Sequence, residues 1–138
     1  MGTKIEVSPE LKAGLRGEAR VVVDKQNTAS IWGSGALDVF STPAMIALME
    51  KASVLAAAPF LPEGCSTVGT SLNVRHTAAS PVGANIRAEG VLTGVDGRRL
   101  SFEVRAWDDN ELIGEGSHER FVIDNKKFME KTEGKLVR

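Results

Sequence analysis

Glu50 and His76 are the two residues whose types and positions are best suited to catalysis. Glu50 lies in the middle of an apolar stretch, residues 41–61, where a carboxylate needs a partner or a function. His76 belongs to the apolar face of an alternating stretch, which also carries Leu72 and Val74. If that strand packs on the helix, the imidazole can act as an acid or base, and the carboxylate as a nucleophile, base or orienting group. A structural Glu–His ion pair is the alternative, but an acid inside an otherwise apolar helix is harder to explain by packing, which favours function.

Thr42 is the third candidate for chemistry, although its simplest role is that of a helix N-cap. A threonine followed by Pro43 is typical of a helix start, because proline suits the first helical position. Eight residues separate Thr42 from Glu50, which corresponds to about 12 Å along a helix axis. One helix therefore cannot easily place both side chains on the same reacting atom. If both act together, we expect them to come from two helices that cross at a dimer interface.

Several other polar residues have both a chemical interpretation and a plainer one. The N–H of Gly69, at the start of the His76 strand, could stabilise an oxyanion, whereas a strand bulge is the plainer interpretation. His118 and Arg120 alternate onto one face of a strand, and the plainer interpretation is a solvated or salt-bridged strand end. Cys65 lies beside a turn glycine with no histidine near it in sequence, and we interpret it as incidental.

The sequence carries no motif for a metal or nucleotide site. Two histidines and one cysteine at these separations make no zinc pattern, and there is no G-x-S-x-G, P-loop or G-x-G-x-x-G. Arg75, Arg98 and Arg99 could reach phosphates, but so short a run is usually a solvated surface. We therefore expect no metal and no cofactor.

The element that positions these residues is a helix predicted over Ala44–Ala58. Good helix formers dominate it, and Pro59 disfavours helical geometry at the preceding residue. The helix is apolar nearly all round, which is typical of a buried helix, and it is too short and too charged at its centre to span a membrane. The strands predicted around it are Ala19–Val23, Thr67–Ala79, Asn85–Val95, Arg99–Trp107 and Glu111–Ile123.

One long helix and an antiparallel sheet predict an α+β fold in which the sheet curls around the helix. A single curled sheet still leaves part of the helix surface uncovered. A second copy of the chain could provide the missing cover, and we therefore predict a homodimer.

Composition and charge restrict the class of protein. The 138 residues suit one domain with a real core, with a lead-in segment over residues 1–18 and a charged, frayed tail over residues 125–138. The net charge is −1 with both signs interspersed, which gives no footprint for nucleic acid or an anionic membrane. The single cysteine cannot form an internal disulfide, and the N-terminus lacks the apolar core of a signal peptide. These features predict a cytoplasmic protein.

A set of short motifs occurs in a fixed order between about Leu37 and Phe128. The motifs are STPA at 41–44, LME at 48–50, APFL at 58–61, VGT at 68–70, HTAA at 76–79, GRRLS at 97–101 and GSHER at 116–120. Together they resemble the hotdog-fold thioesterases, and most closely the fluoroacetyl-CoA thioesterase-like family. Each fragment is weak by itself, but the ordered set is specific. The fold that the resemblance implies, a sheet wrapped around a central helix and paired in a dimer, agrees with the prediction made from the residues.

The resemblance implies hydrolysis of a small acyl-CoA thioester to the free acid and CoA, with Thr42, Glu50 and His76 as the catalytic residues. Gly69 would help to hold the thioester carbonyl, and Arg120 would contact the substrate. Glu50 would attack the carbonyl or direct a water molecule at it, while His76 transfers the proton. A thioester suits such a site because the thiolate is a good leaving group. CoA is part of the substrate, and the implied reaction uses no cofactor.

The stretch before the helix departs from the pattern of this family, in which aromatic residues form a gate over the acyl pocket. Here residues 32–37 read WGSGAL, with the small residues Gly33 and Ala36 at the gate positions. We therefore expect an acyl preference that differs from fluoroacetyl or is broader.

Two other functions stay open at this point. A non-catalytic binder of acyl-CoA or of another hydrophobic ligand would use the same pocket without turnover. A hotdog-fold enoyl-CoA hydratase ranks lower, because that chemistry typically uses an Asp and a His a few residues apart near the helix start. Neither His76 nor His118 lies there.

Overall fold

The computed structural model describes residues 5–136, so residues 1–4 of the predicted lead-in and residues 137–138 of the predicted tail lie outside the described residues. Its elements are β1 (Arg16–Val22), α1 (Ala29–Trp32), α2 (Thr42–Ala57), β2 (Cys65–His76), β3 (Asn85–Asp96), β4 (Arg99–Trp107), β5 (Leu112–Asp124) and α3 (Asn125–Glu133). Single 3-10 turns, Ala58–Phe60 and Gly134–Leu136, follow α2 and α3. All strand pairs are antiparallel, and the sheet order is β1-β3-β4-β5-β2. The predicted α+β architecture is confirmed.

The N-cap of the long helix α2 lies one residue earlier in the sequence than predicted. Its N-cap is Ser41, whose hydroxyl accepts a hydrogen bond from the N–H of Ala44 at 3.1 Å, and Pro43 lies in the first turn. The prediction that Thr42 is the N-cap is therefore wrong. Thr42 is the first helical residue, and its hydroxyl has a different partner, described below. At the other end, Pro59 belongs to the 3-10 turn in which the helix ends.

The core lies between one face of α2 and one face of the sheet. The helix packs mainly on β1 and β3, and the buried residues of that face are Ala44, Met45, Leu48, Met49, Ala52, Ala56 and Ala57. Two strand glycines allow the close approach. A Cβ at Gly17 would lie 1.9 Å from the carbonyl oxygen of Ala52, and a Cβ at Gly90 would lie 2.7 Å from the hydroxyl oxygen of Ser53. The helix therefore rests directly on the backbone of these two strands.

The opposite flank of α2 is not covered by residues 5–136. Lys51, Val54 and Leu55 are exposed along it, so the helix is less buried than its apolar sequence predicts. The helical run Thr42–Phe60 meets the length and composition requirements for a membrane span, but the core helix of a soluble protein meets them as well. The prediction that the helix is too short and too charged to span a membrane is therefore wrong, and it is the packing of α2 on the sheet that identifies it as a core helix.

Two terminal segments differ from the prediction. β1 begins at Arg16, inside the predicted lead-in, because residues 16–22 pair with β3 along their whole length. The predicted frayed tail is helical, since Asp124 caps α3 by accepting a hydrogen bond from the N–H of Lys127 at 3.1 Å. A cap followed by good helix formers outweighs the density of charge. Strands β2 to β5 begin and end within three residues of their predicted bounds.

The pairing of β2 with β5 positions the polar side chains of both strands. β2 is an edge strand, with β5 as its one neighbour in the described sheet. A bulge interrupts the register between Gly69 and Ser71, with Gly69 opposite Arg120 and Leu72 opposite His118. On β5, His118 and Arg120 belong to the buried face. Their side chains therefore lie beneath the bulge of β2, on the side of the sheet that faces α2.

Candidate active site

Thr42 and His76 form the first of two polar clusters. Oγ1 of Thr42, at the start of α2, lies 2.7 Å from Nδ1 of His76, at the end of β2. The other ring nitrogen, Nε2, is buried and has no hydrogen-bond partner among the described residues. Burial lowers the pKa of His76, and the backbone of Ala78 opposes part of this shift. At pH 7 the ring is therefore a neutral imidazole that Thr42 holds at Nδ1, and Nε2 can act as a base in the tautomer in which Nδ1 donates to the Thr42 hydroxyl.

A cavity of about 350 Å³ opens beside this pair. Its volume lies in the range of small-molecule sites, roughly 300–1,000 Å³. The segment before α2 also lines this cavity, with the small residues Ser34, Gly35 and Ala36 and the larger residues Leu37, Val39 and Phe40. The three small residues contribute little side-chain volume, which leaves space at their part of the wall for a small ligand.

Glu50, Arg120 and His118 form the second cluster. Nη1 of Arg120 donates a hydrogen bond to Oε2 of Glu50 at 3.1 Å and lies 3.1 Å from Nε2 of His118. His118 and Arg120 are 2% and 6% exposed, whereas the side chain of Glu50 is 41% exposed. The carboxylate is therefore anchored from the interior by a buried cation and is accessible from outside.

The guanidinium of Arg120 is fixed on its other edge by Thr67 of β2. Nε donates to the hydroxyl of Thr67 at 2.8 Å, and Nη2 donates to its backbone carbonyl at 3.0 Å. Burial lowers the pKa of Arg120, an effect that the carboxylate of Glu50 opposes. An arginine stays charged even so. The cluster is thus an ion pair between a buried cation and a half-exposed carboxylate, in which every nitrogen of the cation has a partner.

Gly69 lies beside the second cluster, at the bulge of β2. A Cβ at this position would lie 2.8 Å from Oε2 of Glu50 and 3.3 Å from Nη1 of Arg120. The absence of a side chain therefore leaves the room that the carboxylate occupies. The bulge and a chemical role are compatible, because the bulge places the backbone of Gly69 next to Glu50.

The predicted meeting of Glu50 with His76 does not occur within one chain. His76 contacts Thr42, and Glu50 contacts Arg120. Gly69 and His76 are seven residues apart on β2, about 23 Å along a strand, so the two clusters lie at different places on the same edge. The predicted deep burial of Glu50 is wrong as well, because the flank of α2 that carries it is not covered by the same chain.

The buried position of His118 and Arg120 is a further difference from the prediction. The interpretation of a solvated strand end is wrong, although the alternative of a salt-bridged one is correct for Arg120. Alternation places His118, Arg120 and Val122 on one face of the strand. The other face ends in the apolar Phe121 and Ile123, so the sequence pattern does not decide which face is inward.

The remaining candidates add no further chemistry. Cys65 is a free, half-buried thiol. Between residues 5 and 136, no group of three or more His, Cys, Asp or Glu side chains is arranged to hold a metal ion.

Comparison with known proteins assigns the chain to a family. The family described as fluoroacetyl-CoA-specific thioesterase matches residues 23–126. The fluoroacetyl-CoA thioesterase of Streptantibioticus cattleyicolor is 46% identical over 98 residues, which are 71% of this chain and 70% of that protein.

Solved structures agree with this assignment. A crystal structure of a variant of the fluoroacetyl-CoA-specific thioesterase FlK, in complex with fluoroacetate and CoA, superposes with a TM-score of 0.80 at 40% identity, covering 85% of this chain and 98% of that chain. A hot-dog-like protein from Thermanaerovibrio acidaminovorans, 24% identical, shares the fold with a TM-score of 0.83 and covers 91% of this chain and 94% of its own. The predictions of a hotdog fold and of an acyl-CoA thioesterase are confirmed. The chain belongs to the fluoroacetyl-CoA-specific thioesterase family.

Proposed function

We propose that two copies of this thioesterase form a homodimer, and that each hydrolytic site combines Thr42 and His76 of one subunit with Glu50 and Gly69 of the partner subunit. The observation that carries the proposal is the division of these residues between two clusters in a single chain. Neither cluster holds both the carboxylate and the free imidazole nitrogen that the proposed hydrolysis uses. A twofold contact would complete two equal sites at once.

The spacing of the residues on α2 is compatible with a twofold axis. Ile46 lies four residues after Thr42 and four residues before Glu50. If two copies of α2 cross in antiparallel orientation at Ile46, Thr42 of each chain lies opposite Glu50 of the partner subunit.

The spacing of the residues on β2 gives the same result. The midpoint between Gly69 and His76 falls between Leu72 and Asn73. As an edge strand, β2 offers unpaired backbone N–H and C=O groups to another strand. Antiparallel pairing of two copies of β2 about this midpoint brings Gly69 of each chain opposite His76 of the partner subunit.

The residues at the midpoints of the two elements line the same cavity. Ile46 and Leu72 both line a cavity of about 220 Å³, together with Glu50 and Gly69. A single axis can therefore pass close to both elements. The contact would also bring hydrogen-bonding groups to the buried Nε2 of His76, and leaving such an atom unpaired costs about 1–3 kcal/mol.

Hydrolysis at such a site has two possible first steps. Glu50 attacks the thioester carbonyl carbon and forms an anhydride as the CoA thiolate leaves, or it removes a proton from a water molecule that attacks the same carbon. CoA leaves as its thiolate. In the first route the neutral His76 removes a proton from the water that splits the anhydride and passes it to the thiolate, and in the second route it relays to the thiolate the proton that Glu50 takes from the attacking water. Thr42 holds the imidazole through Nδ1, and the N–H of Gly69 stabilises the oxyanion. Both routes yield the free acid and CoA without a cofactor.

Arg120 stays a predicted substrate-binding residue. It is buried beside Gly69 and Glu50, with its nitrogens bonded to Thr67, His118 and Glu50. This position favours contact with the acyl end of the substrate over contact with the phosphates of CoA.

The cavity beside Thr42 and His76 supports a small apolar acyl group as the substrate. Its wall of Ser34, Gly35 and Ala36 leaves room for more than two carbon atoms. We therefore extend the proposal to short aliphatic acyl-CoA thioesters, without selectivity for the fluoroacetyl group that gives the relatives their name. The reducing cytoplasm is the proposed setting, since Cys65 has no second cysteine to pair with.

A thiol-release assay against acetyl-, fluoroacetyl-, propionyl-, butyryl- and isobutyryl-CoA tests the reaction and its substrate class. We expect CoA release above background, with kcat/KM for propionyl- or butyryl-CoA at least equal to that for fluoroacetyl-CoA. The reason is that each additional buried methylene contributes about 0.8 kcal/mol. Binding of acyl-CoA without release of CoA would favour the non-catalytic binder, and a strong preference for fluoroacetyl-CoA would refute the open acyl wall.

Substitution of the two central residues tests the site itself. Glu50→Ala and His76→Ala should each lower kcat by about 100-fold or more, because each removes a group that acts in the transition state. Glu63→Ala is the matched control, since Glu63 is an exposed acid in the turn after α2. Circular dichroism and light scattering should show unchanged folding and assembly. Turnover close to that of the wild type in either variant contradicts the assigned roles.

A further inference from the structure

His118 is buried beneath Glu50 and has no part in the proposed reaction. A series of hydrogen bonds runs from the carbonyl of Ser71 to His118, then to Arg120 and to Glu50. The ring of Phe102 lies on its other side, with 6.2 Å between the ring centroids. Buried polar groups that are bonded at both ends restrict the orientation of their neighbours. His118 is therefore placed to control the geometry of the groups that touch Glu50.

The two polar neighbours of His118 determine its tautomer. The carbonyl oxygen of Ser71 lies 2.8 Å from Nδ1 and can only accept, so Nδ1 carries the proton. Nη1 of Arg120 lies 3.1 Å from Nε2 and can only donate, so Nε2 keeps its lone pair. The ring is therefore neutral and is protonated at Nδ1.

Protonation of Nε2 would disrupt this arrangement. The new N–H would point at the guanidinium of Arg120, while Glu50, on the facing helix, lies 4.0 Å away. β2 faces the ring with the carbonyl of Ser71, and β4 faces it with the uncharged Phe102. Burial lowers the pKa of His118; the Ser71 carbonyl opposes this shift, the charge of Arg120 adds to it, and the carboxylate of Glu50 opposes it.

Arg120 transmits the position of His118 to Glu50. Thr67 holds Nε and Nη2, so Nη1 is the guanidinium nitrogen that reaches both His118 and Glu50. An acceptor at Nε2 directs one Nη1 proton towards the ring and leaves the other for the carboxylate. Without that acceptor, a buried N–H has no partner and the guanidinium rotates to find one.

We propose that His118 is a positioning residue, which as a neutral imidazole fixes the carboxylate of Glu50 through Arg120. Through the carbonyl of Ser71 it also fixes the bulge of β2 that carries Gly69. The proposal rests on the proposed function, in which Glu50 and Gly69 act on the thioester carbonyl.

Steady-state kinetics of three variants test this role with the best acyl-CoA substrate of the panel. His118→Leu removes both hydrogen bonds and should lower kcat up to about 100-fold with little change in KM, because misplacement of a reacting group acts mainly on the chemical step. His118→Gln keeps an acceptor for Arg120 and should recover most of the lost kcat. Phe102→Leu is the control, since it disturbs the packing of the same ring and leaves the hydrogen bonds in place. A kcat for His118→Leu equal to that for Phe102→Leu, or no recovery in His118→Gln, would overturn the proposal.

A second measurement needs neither turnover nor a stable His118→Leu variant. Nitrogen-15 NMR of the imidazole rings, assigned by the signals that disappear in His118→Gln, should show Nδ1 protonated and Nε2 unprotonated at neutral pH. A wild type that hydrolyses acyl-CoA but carries the Nε2–H tautomer would overturn the positioning role alone. A wild type with the expected tautomer and no hydrolysis would overturn the proposed function and leave the hydrogen-bond arrangement supported.

Discussion

At the scale of single residues, the charged Glu50 is accommodated in an apolar helix because a buried arginine binds one side of its carboxylate while the other side stays accessible. Oε2 of Glu50 accepts from a buried arginine at 3.1 Å. Charge-assisted bonds of this kind are roughly twice as strong as neutral ones. The carboxylate stays partly exposed, so it does not lose all of its hydration. The acid is therefore held in one orientation and remains able to react.

Two histidines with lowered pKa values, the half-buried His76 and the buried His118, make the stability of the protein depend on pH. Burial is the largest cause that lowers the pKa of both His76 and His118 below the ordinary value of 6.5. Below that value the unfolded chain takes up protons that the folded chain does not, so the free energy of unfolding falls as the pH drops from about 6.5 towards 5. Each histidine contributes at most about 1.4 kcal/mol per pH unit. Urea unfolding at fixed protein concentration between pH 8 and pH 5 measures the slope.

The variant His118→Gln isolates one of these two contributions. Its slope below pH 6.5 should be shallower than that of the wild type, because glutamine does not titrate. Equal slopes in the two proteins would mean that His118 is protonated in the folded state, contrary to its hydrogen bonds. Carboxylates of lowered pKa such as Asp108 are common to both proteins and cancel in the comparison.

The sequence marked the candidate site residues more easily than it predicted their contact partners. The types and positions of Thr42, Glu50 and His76 marked them as candidates, but the contact of Thr42 with His76 depends on where β2 ends relative to α2. The spacing of residues in the sequence does not give the distance between the end of β2 and the start of α2. The burial of His118 could not be predicted from alternation, because the opposite face of the strand carries the apolar residues Phe121 and Ile123.

At the scale of elements, two glycines determine how close α2 lies to the sheet. Substitution Gly90→Ala places a Cβ 2.7 Å from the hydroxyl oxygen of Ser53 and 2.9 Å from its backbone nitrogen. Backbone atoms cannot move aside cheaply, so we expect a loss of about 1–3 kcal/mol in the free energy of unfolding. Gly94→Ala, on the same strand, has nothing within 4 Å of its Cβ and should change stability little. Thermal or urea unfolding of both variants measures the difference, and similar losses would contradict the close-packing explanation.

The elements themselves were predictable to the extent that they follow local rules. Alternation predicted strands β3 to β5, because each of them has one buried and one more exposed face. β2 was predicted from the alternation of its second half, where half-buried and exposed residues follow each other. The cap of α2 was misassigned by one residue, since Ser41 and Thr42 are both good capping residues and sequence does not decide between neighbours. The helix α3 was missed because its charges were given more weight than the cap supplied by Asp124.

At the scale of the whole molecule, the candidate site residues of one chain are divided between two clusters that lie far apart. The two clusters lie on both sides of Ile46 on α2 and of Leu72 on β2. Ile46 and Glu50 of α2 line one cavity with Gly69 and Leu72 of β2, so one second copy can cover this part of the helix and the free edge of the strand together. Sequence patterns indicate which surfaces of a chain are apolar. They do not identify the partner that covers such a surface, because that partner is another molecule.

Mixing two inactive variants tests whether the site is shared between subunits. If each site takes Glu50 from one chain and His76 from the other, a heterodimer of Glu50→Ala and His76→Ala has one site with both substitutions and one site with neither. Random pairing after co-refolding of equal amounts then restores about a quarter of the wild-type sites.

A mixture of Glu50→Ala with the double variant Glu50→Ala/His76→Ala is the control, because no combination of these chains contains an intact Glu50. Thiol release measures the recovery, and native mass spectrometry measures the heterodimer. Heterodimers that form without any recovery of activity would contradict a shared site, and recovery in the control would show that the signal has another source.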